Sequence, residues 1–217
     1  RIDYSKCIEL DPNNSRHYNN RADLYSEYLV DDDLALADYQ TAIDLSSSEY
    51  SVARALNNRG LIYMDQEKYD LAISEYTSLI EKNSEYILAY SNRASSYYEK
   101  GEYEKALVDY NKCVELEPND VDYYYYRAKN AHIPLEDYNS ALIDYSKCIE
   151  LDPNNSTYYN DRADFYSDYL EDDDLALADY QTALDLSSSE YNVKRALNNR
   201  GLIYFYQEKY DLAISEY

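Results

Sequence analysis

The chain of 217 residues contains a long internal duplication. Residues 3–76 and 144–217 are identical at 63 of 74 positions, with a shift of 141 residues between them. Self-similarity on this scale indicates a modular array, in which each module packs on its neighbours, and not one globular core. The sequence therefore predicts a repeat scaffold.

Each long unit divides further into short periods. A tyrosine that follows an acidic residue returns every 34–37 residues, and an arginine returns with it. The tyrosines are Tyr4, Tyr39, Tyr76, Tyr110, Tyr145, Tyr180 and Tyr217. The arginines are Arg21, Arg59, Arg93, Arg127, Arg162 and Arg200. Between these markers apolar residues recur at steps of three and four, the spacing of one buried helical face. No alternating apolar and polar run of useful length is present, so the pattern predicts two short helices in each period.

The central period carries a recognisable set of residues. Its members are Tyr90, Arg93, Ala94, Tyr97, Ala106, Tyr110, Cys113 and Pro118. In this spacing the set resembles a tetratricopeptide repeat, and the resemblance covers the whole chain as six to seven tandem repeats. Small residues occupy the close-packing position of every full repeat. They are Ala22, Gly60, Ala94, Ala128, Ala163 and Gly201 in the first helix (helix A), and Ala35, Ala72, Ala106, Ala141, Ala176 and Ala213 in the second (helix B).

The resemblance implies an all-α fold, a right-handed superhelical α-solenoid of antiparallel helix pairs. We expect a single solenoid over residues 1–217, in which the near-identical units 2–76 and 143–217 are joined by 77–142. Because the sequence opens and closes inside a repeat, we also expect it to be a window of a longer array.

The repeating arginine of helix A has a candidate partner on helix B. An acidic residue precedes each helix-B tyrosine, and a planar guanidinium tolerates burial when a carboxylate satisfies it. The expected structural pairs are Arg21 with Asp38, Arg59 with Glu75, Arg93 with Asp109, Arg127 with Asp144, Arg162 with Asp179, and Arg200 with Glu216. We interpret these pairs as determinants of the packing and not as catalytic groups.

The concave surface formed by the helices A is the predicted partner-binding site. Asparagine side chains there offer hydrogen bonds, and tyrosines offer aromatic contacts. The candidate residues are Asn19, Asn20, Asp23, Asn57, Asn58, Ser91, Asn92, Tyr125, Tyr126, Lys129, Asn160, Asp161, Asn198 and Asn199. The resemblance does not carry over the family's clamp for acidic chaperone tails, because that clamp needs several lysines and only Lys129 is basic here.

The charge limits the classes of partner. The chain has 43 acidic and 20 basic residues, a net charge of −23, and so repels phosphate backbones and anionic membranes. We therefore expect neither nucleic-acid binding nor membrane insertion. The expected partner is a protein or peptide, or further copies of the chain end to end.

Residues that build catalytic, metal or cofactor sites are scarce. The chain has only two histidines, His17 and His132, and no glycine-rich phosphate loop. The acidic runs at 31–33 and 172–174 lack the glycine and the spaced ligands of a calcium loop, and are better explained as helix caps. The three cysteines share one helix-B position, and they do not indicate a compartment. They are Cys7, Cys113 and Cys148. We expect no enzyme activity, no metal and no cofactor.

Two classes of function remain open at this point. The first is a non-enzymatic scaffold that mediates protein–protein interaction through its concave helix-A surface. The second is the structural subunit of a long repeat fibre or cell-surface filament, built by end-to-end stacking, since heterologous joining without closure yields filaments.

Overall fold

The computed structural model describes residues 3–217, and these residues form helices and turns with no strand. The prediction of an all-α solenoid fold of antiparallel helix pairs is confirmed. By contacts, the chain divides into two compact units, Arg1–Leu116 and Glu117–Tyr217. The single solenoid over residues 1–217 and the handedness of its superhelix stay predictions.

The first unit contains seven helices in its described part. They are α1 Tyr4–Leu10, α2 Ser15–Leu24, α3 Asp32–Leu45, α4 Glu49–Asp65, α5 Tyr69–Lys82, α6 Ile87–Glu99 and α7 Tyr103–Leu116. Helices α2, α4 and α6 are helices A, each followed by its helix B. A π-helical turn, Tyr25–Leu29, prolongs α2.

The second unit contains three helix pairs. They are α8 Val121–Arg127 with α9 Tyr138–Leu151, α10 Ser156–Tyr169 with α11 Asp173–Leu186, and α12 Glu190–Tyr206 with α13 Tyr210–Glu216. The first member of each pair is helix A. A second π-helical turn, Ala128–His132, prolongs α8.

Side chains cap several helix starts, as the sequence predicts. The Asp31 carboxylate accepts from the Leu34 amide at 3.1 Å, and Asp172 accepts from the Leu175 amide at 3.1 Å. Each bond satisfies one of the amides that a first helical turn leaves without a partner. The cap interpretation of the acidic runs is therefore confirmed. No group of three or more metal-ligating side chains comes together among residues 3–217.

The core of each unit is thin and built from small residues and tyrosine rings. All the small helix-A and helix-B positions are buried. The helix-B tyrosines Tyr39, Tyr76, Tyr110 and Tyr180 fill the space beside them and are at most 1% exposed. A buried tyrosine hydroxyl needs a polar partner. Tyr39 donates to Asp23 at 2.6 Å, and Tyr110 shares a hydrogen bond of 3.2 Å with Ser95, whereas the Tyr76 hydroxyl has no partner.

No helix in the described part of the chain has both the length and the apolar character required to cross a membrane.

Candidate functional site

The structure brings all six arginine–acid pairs together, each between helix A and helix B of one repeat. The shortest N–O distances are 2.6 Å for Arg21–Asp38, 2.8 Å for Arg59–Glu75, 2.7 Å for Arg93–Asp109, 2.6 Å for Arg127–Asp144, 2.7 Å for Arg162–Asp179, and 2.9 Å for Arg200–Glu216. In the four aspartate pairs the arginine donates from Nε and Nη2 to the two carboxylate oxygens, a fork geometry that fixes both side chains.

The two glutamate pairs have a different geometry. Only Nη2 of Arg59 and Arg200 meets the carboxylate, and the Nε of both arginines is buried without a partner. Because glutamate is one methylene longer, its carboxylate lies beyond the Nε edge of the guanidinium. Instead, Nη1 of Arg59 donates a hydrogen bond to Gln40 Oε1 at 2.7 Å, and Nη1 of Arg200 donates to Gln181 Oε1 at 2.8 Å.

The Arg93–Asp109 pair shows the electrostatics of these sites. The Asp109 side chain is 3% exposed and the Arg93 side chain 16%. Burial raises the pKa of Asp109, even though the Arg93 guanidinium opposes that change, because the carboxylate is the more deeply buried partner. The hydrogen bond to Asp109 raises the pKa of Arg93. The guanidinium also lies 5.8 Å from the Tyr90 ring centre and donates to Thr77 at 3.0 Å. The pair is thus enclosed on several sides and specifies one packing of the repeat.

A second network links neighbouring helices A in the first unit. Asp23 on α2 accepts from Tyr39, from Asn58 at 3.1 Å and from Arg54, all of which lie on other helices. Arg54 also donates to Asn20 at 3.1 Å. Burial and the hydrogen bond to Asp23 raise the pKa of Tyr39, so its hydroxyl stays protonated and donates. This network holds α2, α3 and α4 in register.

The second unit repeats this network with one change. Asp164 accepts from Tyr180, from Asn199 at 2.8 Å and from Arg195 at 3.1 Å. Arg195 donates to Asp161 at 2.6 Å, where the first unit has the neutral Asn20. The second network therefore carries one more negative charge than the first.

The predicted partner-binding residues differ in their accessibility. Asn19 and Asn160 are buried and donate to the backbone carbonyls of Ser51 at 3.1 Å and Asn192 at 3.2 Å. The exposed members are Tyr126, Lys129 and Asn198. The half-buried members are Asn20, Asp23, Asn57, Asn58, Ser91, Asn92, Tyr125, Asp161 and Asn199. Much of the asparagine row is therefore at least partly buried against neighbouring helices of the chain.

The amides of the row also bond to one another. Asn92 donates to Asn57 at 3.1 Å, and Asn57 donates to Asn58 at 3.1 Å. In the second unit Asn198 donates to Asn199 at 3.1 Å. In each unit, taken by itself, the result is a line of preorganised polar groups along that unit's helices A, and we call this set of residues the helix-A surface. It is defined by the candidate residues given in the sequence analysis together with Arg54, Leu61, Arg195 and Leu202.

Those four added residues were not predicted from the sequence. Arg54 and Arg195 follow Asp23 and Asp164 by 31 residues in each unit, and this recurrence was the available signal. Leu61 and Leu202 lie one turn after the Asn57 and Asn198 positions and are 43% and 40% exposed.

An aromatic group stands on the helix-A surface of the second unit. The Tyr125 ring lies 5.5 Å from Tyr126 and 5.9 Å from Tyr158, and the Lys129 ammonium lies 5.6 Å from the Tyr125 ring centre. Tyr123 is buried while Tyr126 is exposed. The tyrosine run 123–126 therefore presents at least one ring to solvent.

His132 lies buried at the end of the π-helical turn of α8, between two carboxylates. Its Nε2 is 3.5 Å from Asp144 and its Nδ1 is 3.3 Å from Asp137, while Arg127 faces it from α8. Burial lowers the pKa of His132, and Arg127 lowers it further, although Asp144 and Asp137 oppose this change. The neutral imidazole is therefore the favoured form in the folded protein.

Acidification should cost the folded state stability at this site. The unfolded chain has the ordinary histidine pKa of about 6.5 and takes up its proton first as the pH falls. The contribution of His132 to the free energy of unfolding is therefore fully present above about pH 6.5. It is lost as the pH falls from there through the lower pKa of His132 in the folded protein. The loss cannot exceed about 1.4 kcal/mol per pH unit. Urea unfolding at about pH 7.5 and about pH 5.5 should show a larger loss for the wild type than for His132→Gln; an equal loss in both proteins would contradict the assignment.

Comparison with known proteins identifies the family to which the chain belongs. Models of the tetratricopeptide repeat match residues 4–44, 87–120, 121–155 and 145–185, and a model described as a TPR repeat matches residues 60–101. No curated protein matches the chain.

Several solved structures share the fold. YrrB, described as a TPR protein with an unusual peptide-binding site, is 23% identical with a TM-score of 0.69, over 92% of this chain and 98% of that chain. The C-terminal part of a TPR repeat-containing protein from Cytophaga hutchinsonii is 22% identical with a TM-score of 0.82, over 98% and 86%. A tetratricopeptide repeat protein from Parabacteroides merdae is 20% identical with a TM-score of 0.70, over 98% and 81%. At these identities the likeness shows the fold.

Proposed function

Since the chain belongs to the tetratricopeptide repeat family, whose fold supports protein-interaction scaffolds in general, we propose that it is a non-enzymatic scaffold that binds a protein segment on its helix-A surface. The observation that carries the proposal is the preorganisation of this surface. Networks centred on Asp23 and Asp164 fix neighbouring helices A before any partner arrives, so binding does not have to order them.

The chemistry of the surface suits an extended or helical protein segment. Half-buried amides such as Asn57 and Asn92 present hydrogen-bonding groups, and exposed side chains such as Leu61, Tyr126 and Leu202 present apolar contacts. Binding energy in such surfaces concentrates on a few apolar and aromatic anchors, while polar groups set the register. The peptide-binding site in the description of YrrB supports the same class of function.

The proposal is tested by matched leucine variants on helix A and helix B of two repeats, one repeat in each unit. Leu61 on α4 and Leu71 on α5 are 43% and 48% exposed, and Leu202 on α12 and Leu212 on α13 are 40% and 48% exposed. Peptides selected by display against the 217-residue chain would be measured by calorimetry. We expect Leu61→Ser with Leu202→Ser to weaken binding about tenfold or more, the effect of losing a buried apolar anchor.

The helix-B pair is the control, because it removes the same atoms from equally exposed positions. We expect Leu71→Ser with Leu212→Ser to bind as the wild type does. If the helix-B pair loses affinity and the helix-A pair keeps it, the binding surface lies elsewhere.

The fibre alternative stays a prediction. Electron microscopy of the purified chain distinguishes the two classes, because end-to-end stacking produces regular fibres and a scaffold produces discrete particles.

A further inference from the structure

Three carboxylates occupy the same position on the three consecutive helices A of the first unit, six residues after the repeating arginine of each helix. They are Glu27, Asp65 and Glu99. The first two follow a residue of the helix-A surface by one helical turn, and Glu99 follows Ser91 by two turns. Residues at this spacing share a face of a helix, so the three carboxylates extend the helix-A surface of the first unit. We call them the acidic row.

The acidic row is exposed, and its side chains make no hydrogen bond or ion pair within residues 3–217. The lysines that follow Asp65 and Glu99 in the sequence are bound elsewhere. Lys68 donates to the Gln66 side chain at 2.7 Å. The Lys100 ammonium lies 2.6 Å from an Asp70 oxygen and 2.8 Å from a Glu102 oxygen. The charge of the row is therefore not neutralised by these lysines.

The row also lies where a helix favours the opposite charge. Asp65 is the last residue of α4, Glu99 is the last residue of α6, and Glu27 lies in the π-helical turn that prolongs α2. The carbonyl groups of a last helical turn carry partial negative charge and favour cations. The last turns of α4 and α6 and the π-helical turn 25–29 contain no basic residue. Carboxylates and carbonyl groups together therefore favour a cationic group at this edge of the first unit.

A hydroxyl group without a partner lies beside the middle of the row. In the neighbouring repeats the helix-B tyrosine bonds to the helix-A side chain one turn before the row, Asp23 or Ser95. The equivalent residue here is Leu61, and the fully buried Tyr76, which points toward that position by the same geometry, has no partner for its hydroxyl. Burial, and then the nearby Asp65 carboxylate, raise the pKa of Tyr76. Hydrogen-bonding capacity therefore remains unused beside Asp65.

The second unit does not repeat the acidic row, although most of its sequence repeats that of the first. Its three equivalent positions hold Ile133, Asp168 and Tyr206, so only one of them is acidic. The change from Asp65 to Tyr206 is one of the few differences between the duplicated segments. The row is therefore a property of the first unit and not a requirement of the fold.

We propose that the acidic row binds a basic segment of a partner protein, an extended segment with lysine or arginine at every third position. Packed helices lie about 8–10 Å apart. In a polyproline II segment every third side chain returns to the same face after about 9 Å. Three basic side chains in that register reach the three carboxylates together, in the way that Arg54 already meets Asp23 on this surface.

The net charge of −23 adds a long-range attraction for such a segment, which speeds its encounter with the chain. The spacing of the row then selects the register, because a segment with a different spacing pairs with one carboxylate at a time. The inference rests on the proposed function, since it names the chemistry of the segment that the helix-A surface binds.

The test compares two peptides of the same composition and charge. One is Lys-Pro-Pro repeated three times, and the other has its three lysines in succession, followed by the prolines. Each is titrated into the ¹⁵N-labelled 217-residue chain at about 0.15 M salt, where charges more than about 8 Å apart are largely screened. We expect the spaced peptide to bind about tenfold more tightly, because its lysines pair with three carboxylates at once. Amides near residues 27, 65 and 99 should shift, and those near residues 133, 168 and 206 should not.

Matched triple variants identify the carboxylates that bind the peptide. The first set removes the row: Glu27→Gln, Asp65→Asn and Glu99→Gln. It should weaken binding of the spaced peptide about tenfold, because three exposed ion pairs are lost. The control set removes exposed acids from the helices B of the same unit: Asp33→Asn, Glu81→Gln and Glu104→Gln. It changes the net charge by the same amount and should change the affinity less than about threefold, because distant charges are screened.

Three outcomes would overturn the proposal. They are no detectable binding of the spaced peptide, equal affinity of the two peptides, and equal losses of affinity in the two triple variants. The last two would mean that net charge alone attracts lysine. The leucine variants are measured with peptides selected by display and leave these carboxylates in place, so their result decides the proposed function separately.

Discussion

Replacing Arg93 with alanine should lower the free energy of unfolding by about 3–5 kcal/mol, the scale for a buried charge that has lost its partner. Asp109 accepts two hydrogen bonds from Arg93 and is nearly inaccessible to water, so the substitution leaves a buried carboxylate without its counter-charge. Urea unfolding followed by circular dichroism measures the change. A loss below about 1 kcal/mol would show that the pair behaves as an exposed one.

Two controls separate the lost charge from the lost packing. Replacing Arg93 with methionine and Asp109 with leucine together should recover much of the stability, because apolar side chains of similar volume often substitute for a buried ion pair without cost. Replacing Lys112 with alanine should change stability by less than about 0.5 kcal/mol, since its bridge to Glu115 spans one helical turn at the surface. If the double variant is as unstable as Arg93→Ala, packing and not charge explains the effect.

The fold could be predicted from the sequence because the same packing residues recur in each repeat. Small residues at fixed spacing, one tyrosine and one arginine in each repeat define which faces of two helices meet. The arginine–acid proximity followed from the same period. The repeat period does not predict the geometry of each arginine–acid pair. Asp109 accepts two hydrogen bonds from Arg93, whereas the Nε of Arg59, whose partner is Glu75, has no hydrogen bond. One methylene decides this difference, and its effect depends on backbone distances.

The candidate site was less predictable, because polar side chains on one face can bond either to a partner or to the next repeat. Asn19 and Asn58 look equivalent in sequence as members of an asparagine row. In the structure Asn19 is buried against α4, and Asn58 joins the network of Asp23. Arg54 lies outside the repeating markers, and its role is visible only once α2 and α4 lie side by side. Hydrogen bonds between neighbouring repeats therefore use polar side chains that the residue pattern predicts to be available to a partner.

Replacing Gly60 with alanine should destabilise the first unit by about 1–3 kcal/mol, as expected for overpacking of a filled core. A Cβ atom at this position would lie 2.6 Å from two ring carbons of Tyr76 and 2.9 Å from its hydroxyl. Tyr76 is fully buried and packs with Leu79 and Ala89, so the ring has no free space into which to shift. The better helix propensity of alanine, worth about 1 kcal/mol, offsets only part of this strain.

The duplication provides the matched control at Gly201. There a Cβ atom would lie 3.0 Å from the Tyr217 ring, and this ring is 72% exposed and can turn away. Gly201→Ala should therefore leave stability unchanged or raise it by up to about 1 kcal/mol through helix propensity alone. Urea unfolding of the two variants compares the same substitution in the same local sequence, with only the freedom of the opposing tyrosine changed. Equal effects of the two substitutions would mean that the Tyr76 ring is not confined, and that the close fit of tyrosine against glycine does not determine how these helices pack.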